Sequence, residues 1–173
     1  MRGNIRGIIF VFAGLALLMI IISLFIPSRV VTVRAVTIHG DKDSIFSRIN
    51  HVNNWKAWNA ALAASPNLVT TDSTASWTSA NHTYTLTRKE KSANYTKFLL
   101  SRAGQPDVDY FLSVLPVQEP NAFQVEWRAV TPLRWYPWEK FGGIFIEKMS
   151  GPGYQDALDR LAATVEHRPM PGN

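Results

Sequence analysis

An uncharged apolar segment near the N-terminus constrains this chain more than any other feature of its sequence. Residues 7–26, GIIFVFAGLALLMIIISLFI, contain no charged side chain, and Ser23 is their one polar residue. A helix of about twenty residues spans about 30 Å, the thickness of the hydrocarbon core of a bilayer. Pro27 follows and ends the segment. The sequence therefore predicts one transmembrane helix within residues 1–27.

A cleaved signal peptide is the alternative interpretation of this segment. A signal peptide has an apolar core of about 7–15 residues and small residues at its cleavage site. The core here is longer and SLFIPSR offers no such site, so we expect an uncleaved anchor. Arg2 and Arg6 precede the segment, whereas Arg29 and Arg34 follow it. With the terminal amine, the positive-inside rule favours, by one charge, a cytoplasmic N-terminus and a domain on the extracytoplasmic (periplasmic) side.

The rest of the composition excludes several classes of function. The chain has no cysteine, which excludes disulfides, thiolate zinc sites and cysteine nucleophiles. Its net charge of +5 falls to about +3 once Arg2 and Arg6 are set aside. We expect no nucleic-acid partner, because nucleic-acid binding needs a concentrated basic face.

The pattern after residue 28 predicts an α+β domain. Residues 29–40 predict a first strand, and residues 41–62 predict two short helices. Residues 67–131 predict about six short strands separated by turn residues, as in an antiparallel meander. Residues 137–167 predict a long helix in two parts, divided at Gly151-Pro152-Gly153. Two apolar stripes run along these parts: Phe141, Ile144, Phe145 and Met149 in the first, and Tyr154, Leu158, Leu161 and Val165 in the second.

This order of elements resembles that of the SRPBCC or START-like superfamily, and within it the membrane-anchored bacterial proteins that are polyketide cyclase/dehydrase-like. The motifs that carry the resemblance are VTIHGDKDSIFSRINHVNNW, WKAW, FQVEWRAVT and WYPWEKFGGIFIEKMSGPGYQDALDRLAATVE. The likeness covers residues 29–167. It implies a helix-grip fold, in which six to seven antiparallel strands wrap around the long C-terminal helix and leave a cavity for an apolar ligand.

The predicted anchor and the family resemblance together divide the chain into three parts. We expect a transmembrane anchor over residues 1–27, a START-like domain over residues 28–168 and a C-terminal tail over residues 169–173.

Alternation along the strands and periodicity along the helices predict which side chains line the implied cavity. Each candidate is also compatible with a place in the ordinary core. Among the candidates are the two tryptophans of the WKAW motif, of which we expect Trp58 to be the more deeply buried and Trp55 to lie nearer the rim of the cavity. The candidates are Trp55, Trp58, Tyr84, Tyr95, Tyr110, Leu112, Val125, Trp127, Phe141, Phe145 and Leu158.

No catalytic constellation stands out in the sequence, so the catalytic residues are not predicted. The four histidines, which lack the spacing of metal ligands, indicate no metal site, and we expect no cofactor. Asp107 and Asp109 share a strand face and could act as an acid–base pair, but they follow a turn and we expect them to be solvated. Glu126 and Arg128 share the outer face of a strand, where an exposed ion pair is expected.

Three functions remain open. We favour a membrane-anchored module that binds a lipid or another hydrophobic small molecule, with the bilayer and that ligand as its partners. The first alternative is a scaffold or regulator that binds a protein partner at the membrane. The second is an enzyme of the polyketide cyclase or dehydrase type, which would need a polar pair inside the cavity. The sequence does not predict the oligomeric state.

Overall fold

The computed structural model of the protein describes the backbone of residues 2–171 and the side chains of residues 7–171. The side chains of Arg2 and Arg6, on which the predicted membrane orientation partly rests, lie outside the described residues. The predicted C-terminal tail is described only as far as residue 171.

The apolar N-terminal segment forms one helix, α1, over Arg2–Phe25. Its window Gly7–Phe25 has 19 residues and a mean hydropathy of 3.0, and only 6% of it is buried against the rest of the fold. Its apolar side chains therefore take no part in the core of the domain. A helix of this length and composition is compatible with a single-pass anchor or with a signal sequence.

The segment after α1 forms the first strand and then three short helices. Asp41 caps the first of these helices by accepting a hydrogen bond from the Ser44 N–H (3.0 Å), and Asn59 caps the last by accepting one from the Leu62 N–H (3.1 Å). Such caps satisfy backbone donors that a helix start leaves open. The bounds are β1 Arg29–His39, α2 Lys42–Asn50, a 3-10 helix Val52–Ala57 and α3 Ala60–Ala63.

The strands form one antiparallel sheet, which confirms the predicted meander. Within the described residues the sheet has seven strands in the order β1-β7-β6-β5-β4-β3-β2, so the first strand pairs with the last. Neighbouring strands along the chain otherwise pair through short turns. The remaining strands are β2 Val69–Thr70, β3 Thr74–Ser79, β4 His82–Lys91, β5 Tyr95–Arg102, β6 Val108–Pro116 and β7 Ala122–Pro132.

The long C-terminal helix, α4, runs over Pro137–Val165 without interruption. The sequence predicted a kink or a break at Gly151-Pro152-Gly153, and the break is absent. An interior proline removes one backbone hydrogen bond and costs about 3 kcal/mol, but Pro152 lies on the exposed side of the helix. Packing of α4 on the sheet offsets this cost, so the helix continues across the proline.

The core lies between α4 and the concave face of the sheet, as the helix-grip fold requires. The second half of α4 contributes Ala157, Leu158 and Leu161, none more than 2% exposed, and they belong to one apolar cluster with buried strand residues. The predicted α+β helix-grip architecture is confirmed. The strand and helix residues that complete this cluster include Ile38, Ile45, Ile49, Val52, Leu86, Phe98, Leu112, Val114 and Val125.

Polar contacts fix the position of α4 along β1. The backbone N–H of His39 donates to Glu166 Oε1 (2.7 Å), and the His39 ring nitrogen Nδ1 lies 3.2 Å from the same oxygen. Nearer the start of the helix, Arg34 Nη1 lies 3.3 Å from Glu147 Oε1. These contacts join the middle and the end of β1 to the two halves of α4.

Candidate functional site

The two tryptophans of the WKAW motif belong to a buried aromatic cluster. The Trp55 and Trp58 ring centroids lie 4.8 Å apart, and Trp55 also lies 4.8 Å from Phe98 and 5.6 Å from Trp127. The Nε1–H of Trp55 donates to the Ile49 carbonyl (2.7 Å). A helix leaves its last four carbonyls without intrahelical partners, and this indole satisfies one of them at the end of α2. The cluster therefore helps to stabilise the end of α2 and the core around it.

Both indoles are equally buried, at 1% exposure each. We expected Trp58 to be the more buried of the two, and this difference is absent. Both rings are enclosed because the end of α2 covers them, and the Trp58 Nε1–H also donates to a carbonyl there, that of Arg48 (3.3 Å). One edge of Trp55 nevertheless faces an open space between sheet and helix.

That open space is a cavity of about 300 Å³, which we call the inner cavity. It lies between the strands, the short helices and the middle of α4, and most of its wall is aromatic or aliphatic. No charged side chain lines it in the described part of the chain. The lining residues are Trp55, Asn59, Ala61, Leu62, Trp77, Leu86, Leu100, Tyr110, Trp127, Met149, Ser150, Gly153 and Tyr154.

A few polar atoms stand in this apolar wall. The Nε1 atom of Trp127 is buried and has no hydrogen-bond partner among the described residues. The hydroxyls of Tyr110 and Tyr154 lie 3.3 Å apart and share one hydrogen bond. The Trp127 ring stacks on Tyr154 at 4.9 Å and meets Tyr110 edge-on at 5.3 Å. Three polar side chains therefore come together in one part of the cavity.

The environment of Tyr110 determines its protonation. Burial raises the pKa of the Tyr110 phenol well above its ordinary value of 10.0, and the nearby Tyr154 hydroxyl raises it further. Desolvation disfavours the charged phenolate. Tyr110 is therefore a hydrogen-bond donor here and not a base.

A second and larger space lies nearer the start of α4. This outer groove has a volume of about 500 Å³. Tyr84 is in its wall, stacks on Trp77 at 5.5 Å and accepts a hydrogen bond from Arg102 Nη1 (3.1 Å). Leu100 lines both the groove and the inner cavity. The groove is lined by Tyr84, Leu100, Arg102, Gln105, Pro106, Val108, Thr131, Pro132, Leu133, Trp138, Glu139, Gly142, Gly143 and Ile146.

The structure distributes the predicted cavity residues over several places. Trp55, Tyr110 and Trp127 line the inner cavity, and Tyr84 lines the outer groove. The remaining four buried candidates pack in the core outside both spaces: Trp58, Leu112, Val125 and Leu158.

Three candidates lie elsewhere. Tyr95 is on the outer face of β5, where its hydroxyl donates to Glu90 Oε1. The sequence placed Tyr95 inward, but Thr96 and Phe98 are the fully buried residues of this strand. Alternation failed here because the inward Thr96 is polar. It is hydrogen-bonded to the buried Asn50. A polar residue with a buried partner cannot be recognised from alternation alone.

The two α4 candidates in the first apolar stripe also lie outside the inner cavity. Phe145 is 59% exposed, and Phe141 is partly exposed and lines neither space. The packing side of this part of α4 consists of Lys140, Gly143 and Gly151, which are buried. Small residues let the helix approach β1 closely, so the large apolar residues face outward.

Sequence reasoning missed several residues of the inner cavity. Tyr154 was assigned only to the second apolar stripe of the helix, although it brings a hydroxyl beside Tyr110. Trp77 lies in ASWTS, which gave a weak strand signal but forms β3. The one sequence signal that could have pointed to Tyr154 is its position directly after Gly151-Pro152-Gly153.

The charged candidates form surface contacts. Asp109 pairs with Lys97 (3.0 Å), and Glu126 lies 3.8 Å from Arg128, as expected for an exposed pair. Asp107 is exposed. Among the described residues no group of three or more His, Asp or Glu side chains could hold a metal ion.

The fold and the cavity define a class of protein: an α+β helix-grip domain with a partly open, largely aromatic space between sheet and helix. Comparison of the sequence with protein-family models found no match, and neither did comparison with curated proteins. Comparison with solved structures found proteins with the same fold, and one of them is described as a START superfamily protein.

Three solved structures illustrate this likeness. A START superfamily protein from Mycobacterium smegmatis has 12% identity and a TM-score of 0.56, with 79% of this chain and 97% of that chain covered. Norcoclaurine synthase from Thalictrum flavum has 13% identity and a TM-score of 0.60, with coverage of 82% and 96%. DynU16, from the dynemicin biosynthetic locus, has 14% identity and a TM-score of 0.56, with coverage of 82% and 49%. At these identities the likeness concerns the fold.

Proposed function

We propose that this protein is a membrane-anchored module that binds a neutral, largely apolar small molecule in the inner cavity. The observation that carries the proposal is the Nε1–H of Trp127, which is buried in an aromatic wall without a partner. Buried polar groups in proteins are nearly always hydrogen-bonded. A buried donor beside an open space therefore favours a ligand that supplies the missing acceptor.

A second donor lies close to the first. The hydroxyls of Tyr110 and Tyr154 carry two protons, and their mutual hydrogen bond uses one of them. The other proton is free to donate. Trp127 contacts both tyrosine rings, so the indole N–H and one phenol O–H are suited to a ligand oxygen such as a carbonyl or an ether.

The cavity wall favours a ligand without charge. An unpaired carboxylate or ammonium group in an apolar environment is strongly disfavoured, and the lining residues include no charged side chain to compensate it. A volume of about 300 Å³ with a mostly apolar wall is at the small end of the range for ligand pockets. A ketone, aldehyde, ester or alcohol with an apolar body meets these requirements.

The anchor is the second part of the proposal. The apolar window of α1 is almost entirely unburied, which an uncleaved transmembrane helix explains. The charges that flank it favour the extracytoplasmic side for the domain. A binding domain held at a bilayer would be next to a reservoir of apolar molecules.

The enzymatic alternative has less support. Acid–base chemistry needs a group that takes up a proton near neutral pH. The raised pKa of Tyr110 keeps its proton in place, and the inner cavity has no His, Asp or Glu in its wall. Binding is therefore the function that this geometry supports best.

The test uses the full chain in lipid nanodiscs and three probes of equal carbon number: a methyl ketone, an alkane and a fatty carboxylate. Native mass spectrometry after release reports how much of each probe is retained. One additional hydrogen bond contributes about 0.5–1.5 kcal/mol, or about a 2- to 10-fold preference. We expect the ketone to be retained best and the carboxylate least.

The variant Trp127→Phe removes the donor and keeps an aromatic ring. It should abolish the preference for the ketone over the alkane while the alkane is still retained. Trp58→Phe is the matched control, because Trp58 is as deeply buried as Trp127 but lines neither space. An unchanged preference in Trp127→Phe would contradict the proposal. Retention of no probe, with a water on the indole N–H, would contradict it as well.

A further inference from the structure

The outward side of the first half of α4 is apolar. Trp138, Phe145 and Met149 are 70%, 59% and 79% exposed. Spacings of seven and four residues place them in one line along the helix. Trp135, just before the start of α4, is also exposed. We call Trp135, Trp138, Phe145 and Met149 the apolar face of α4.

This arrangement is the reverse of that in an ordinary surface helix, which buries large apolar residues and exposes polar ones. Here the buried side carries small residues. A Cβ atom at Gly143 would lie 2.4 Å from Leu133 Cδ1, and one at Gly151 would lie 2.2 Å from Arg34 Nη2. The glycines thus allow α4 to pack closely on β1. The large apolar side chains on the opposite side of the helix are available for contact with a surface outside the domain. Large exposed apolar patches mark interaction sites.

The first half of α4 lies beside the end of the N-terminal helix. The Lys140 ammonium is buried and donates to the Ile26 carbonyl and to Ser28 Oγ, both at 2.8 Å. The apolar window of α1 ends at Phe25, only one residue before that carbonyl. If α1 crosses a bilayer, the first half of α4 is therefore held where the chain leaves it.

The chemistry of the face fits the boundary between lipid and water. Trp135, Tyr136 and Trp138 pack on one another with ring centroids 5.0 Å apart along the series. Tryptophan and tyrosine are enriched at membrane interfaces, because their rings are apolar and their polar tips remain hydrated. The charged residues of this half of the helix, which are Glu139, Lys140, Glu147 and Lys148, cancel one another. Contact with lipid would therefore rest on apolar area and not on attraction to anionic headgroups.

We propose that the first half of α4 lies in the interfacial layer of the membrane in which α1 is anchored, with its apolar face against the lipids. This inference rests on the anchor in the proposed function. Interfacial helices bury their apolar side by about 5–10 Å into the boundary between headgroups and acyl chains. α4 thus uses its two halves for two different apolar environments: lipid for the first and the sheet for the second.

The outer groove lies beside the apolar face of α4, which suggests a role for this face in ligand entry. Trp138 and Gly142 line the groove at its α4 side, and Leu100 belongs both to the groove and to the inner cavity. An apolar molecule that leaves the lipid beside Trp138 would enter this groove, which has Leu100 in common with the wall of the inner cavity.

The natural tryptophans provide the test. Trp135 and Trp138 are at least 70% exposed, Trp55, Trp58 and Trp127 are at most 2% exposed, and Trp77 is partly buried. The full chain is placed in nanodiscs of zwitterionic phosphatidylcholine with or without bromine on the acyl chains near the headgroup. We expect brominated lipid to quench the emission of the natural chain, and to have no such effect on the double variant Trp135→Phe/Trp138→Phe. Salt should leave the quenching unchanged.

The anchor is tested separately in the same experiment. Leu17→Trp, added to the double variant, places one tryptophan in the middle of the apolar window of α1, and lipids brominated near the ends of the acyl chains are used to quench it. Quenching at position 17 but not at Trp135 and Trp138, with acrylamide reaching the latter from water, would overturn the inference and leave the anchor intact. Protection of Trp135 and Trp138 from both quenchers would mean that a protein covers the face, and would overturn it too. Absence of quenching at position 17 would remove the anchor itself.

Discussion

The two halves of α4 carry similar apolar stripes and place them in opposite environments. In the second half, Leu158 and Leu161 are completely buried against the sheet. In the first half, Phe145 and Met149 are 59% and 79% exposed. Helical periodicity predicts both stripes equally well, but it reports only that a face is apolar. Which structure covers that face depends on what else packs against the helix.

The residues opposite each stripe explain the difference. In the first half the side facing β1 has Gly143 and Gly151, so the backbone itself approaches the strand. In the second half the side facing the sheet has leucines and alanines that fill the concave space. A helix can bury only one side against one sheet, and glycine on that side leaves the large apolar residues facing outward.

The largest effect is expected from truncation in the buried half. Leu158→Ala removes a fully buried side chain and leaves a cavity, which costs about 2–5 kcal/mol of the free energy of unfolding. Phe145→Ala, the matched change in the exposed half, should cost less than about 0.5 kcal/mol in detergent micelles. Thermal or denaturant unfolding of the full chain measures both. A similar loss of stability in the two variants would show that the two halves do not differ as the structure indicates.

A pair of neighbouring glycines provides a finer test of the first half. Alanine should gain up to about 1 kcal/mol of helix propensity at either position. At Gly143 the new methyl group would crowd the Leu133 and Val30 side chains, whereas at Gly142 no atom lies within 4 Å of the added Cβ. The unfolding midpoint of Gly143→Ala should therefore be lower than that of Gly142→Ala. Equal midpoints would mean that the first half of α4 is not packed on β1 through Gly143.

The smallest expected effect is a dependence on pH at the end of the second half. Hydrogen bonds to Glu119 and Glu166 raise the pKa of His39 above its ordinary value of 6.5. Burial acts to raise the pKa of Glu166, but hydrogen bonds from the backbone and ring of His39, and the charge of Arg168, outweigh it and lower the pKa below 4.5. The ion pair thus holds the end of α4 to β1 when His39 is protonated and Glu166 is ionised.

The sign of this dependence follows from linkage. The contribution of His39 is complete below pH 6.5 and is lost as the pH rises through the raised pKa. The contribution of Glu166 is complete above pH 4.5 and is lost as the pH falls through the lowered pKa. Stability from this contact is therefore greatest between about pH 4.5 and 6.5. Unfolding of His39→Gln as a function of pH should lack the decrease above pH 6.5 that the natural chain shows, and an unchanged decrease would assign it to another group.

Most of the fold was predictable, because it depends on local patterns that repeat. The apolar segment, the strands separated by turn residues and the helical stripes together indicated a grip of sheet around helix. The continuous helix through Pro152 was not predictable, because the cost of one missing backbone bond is offset by packing that involves distant strands. The inward face of β5 was assigned incorrectly for a related reason: Thr96 is buried because Asn50, 46 residues away in the sequence, supplies its hydrogen bond.

The candidate site was only partly predictable. Trp55, Tyr110 and Trp127 were named from their aromatic character and their position in strands or helical turns. Tyr154 and Trp77 were missed, because their part in the cavity depends on the crossing of α4 over the sheet. No property of residue 127 in the sequence indicates that its N–H has no partner, since that depends on every neighbour that the fold brings within reach.

The wrapping of the strands around the C-terminal helix was implied by the family resemblance. The sequence by itself determined that this chain has a helix long enough to cross a bilayer and a series of antiparallel strands followed by a long helix. Hydrophobic length and periodicity carry this information, because they act between residues that are near one another in the chain. Only the tertiary structure decided which stripe of α4 is buried, which tyrosines share a hydrogen bond and which indole keeps an open donor. These features depend on contacts between distant segments, and close packing makes each of them a property of the whole fold.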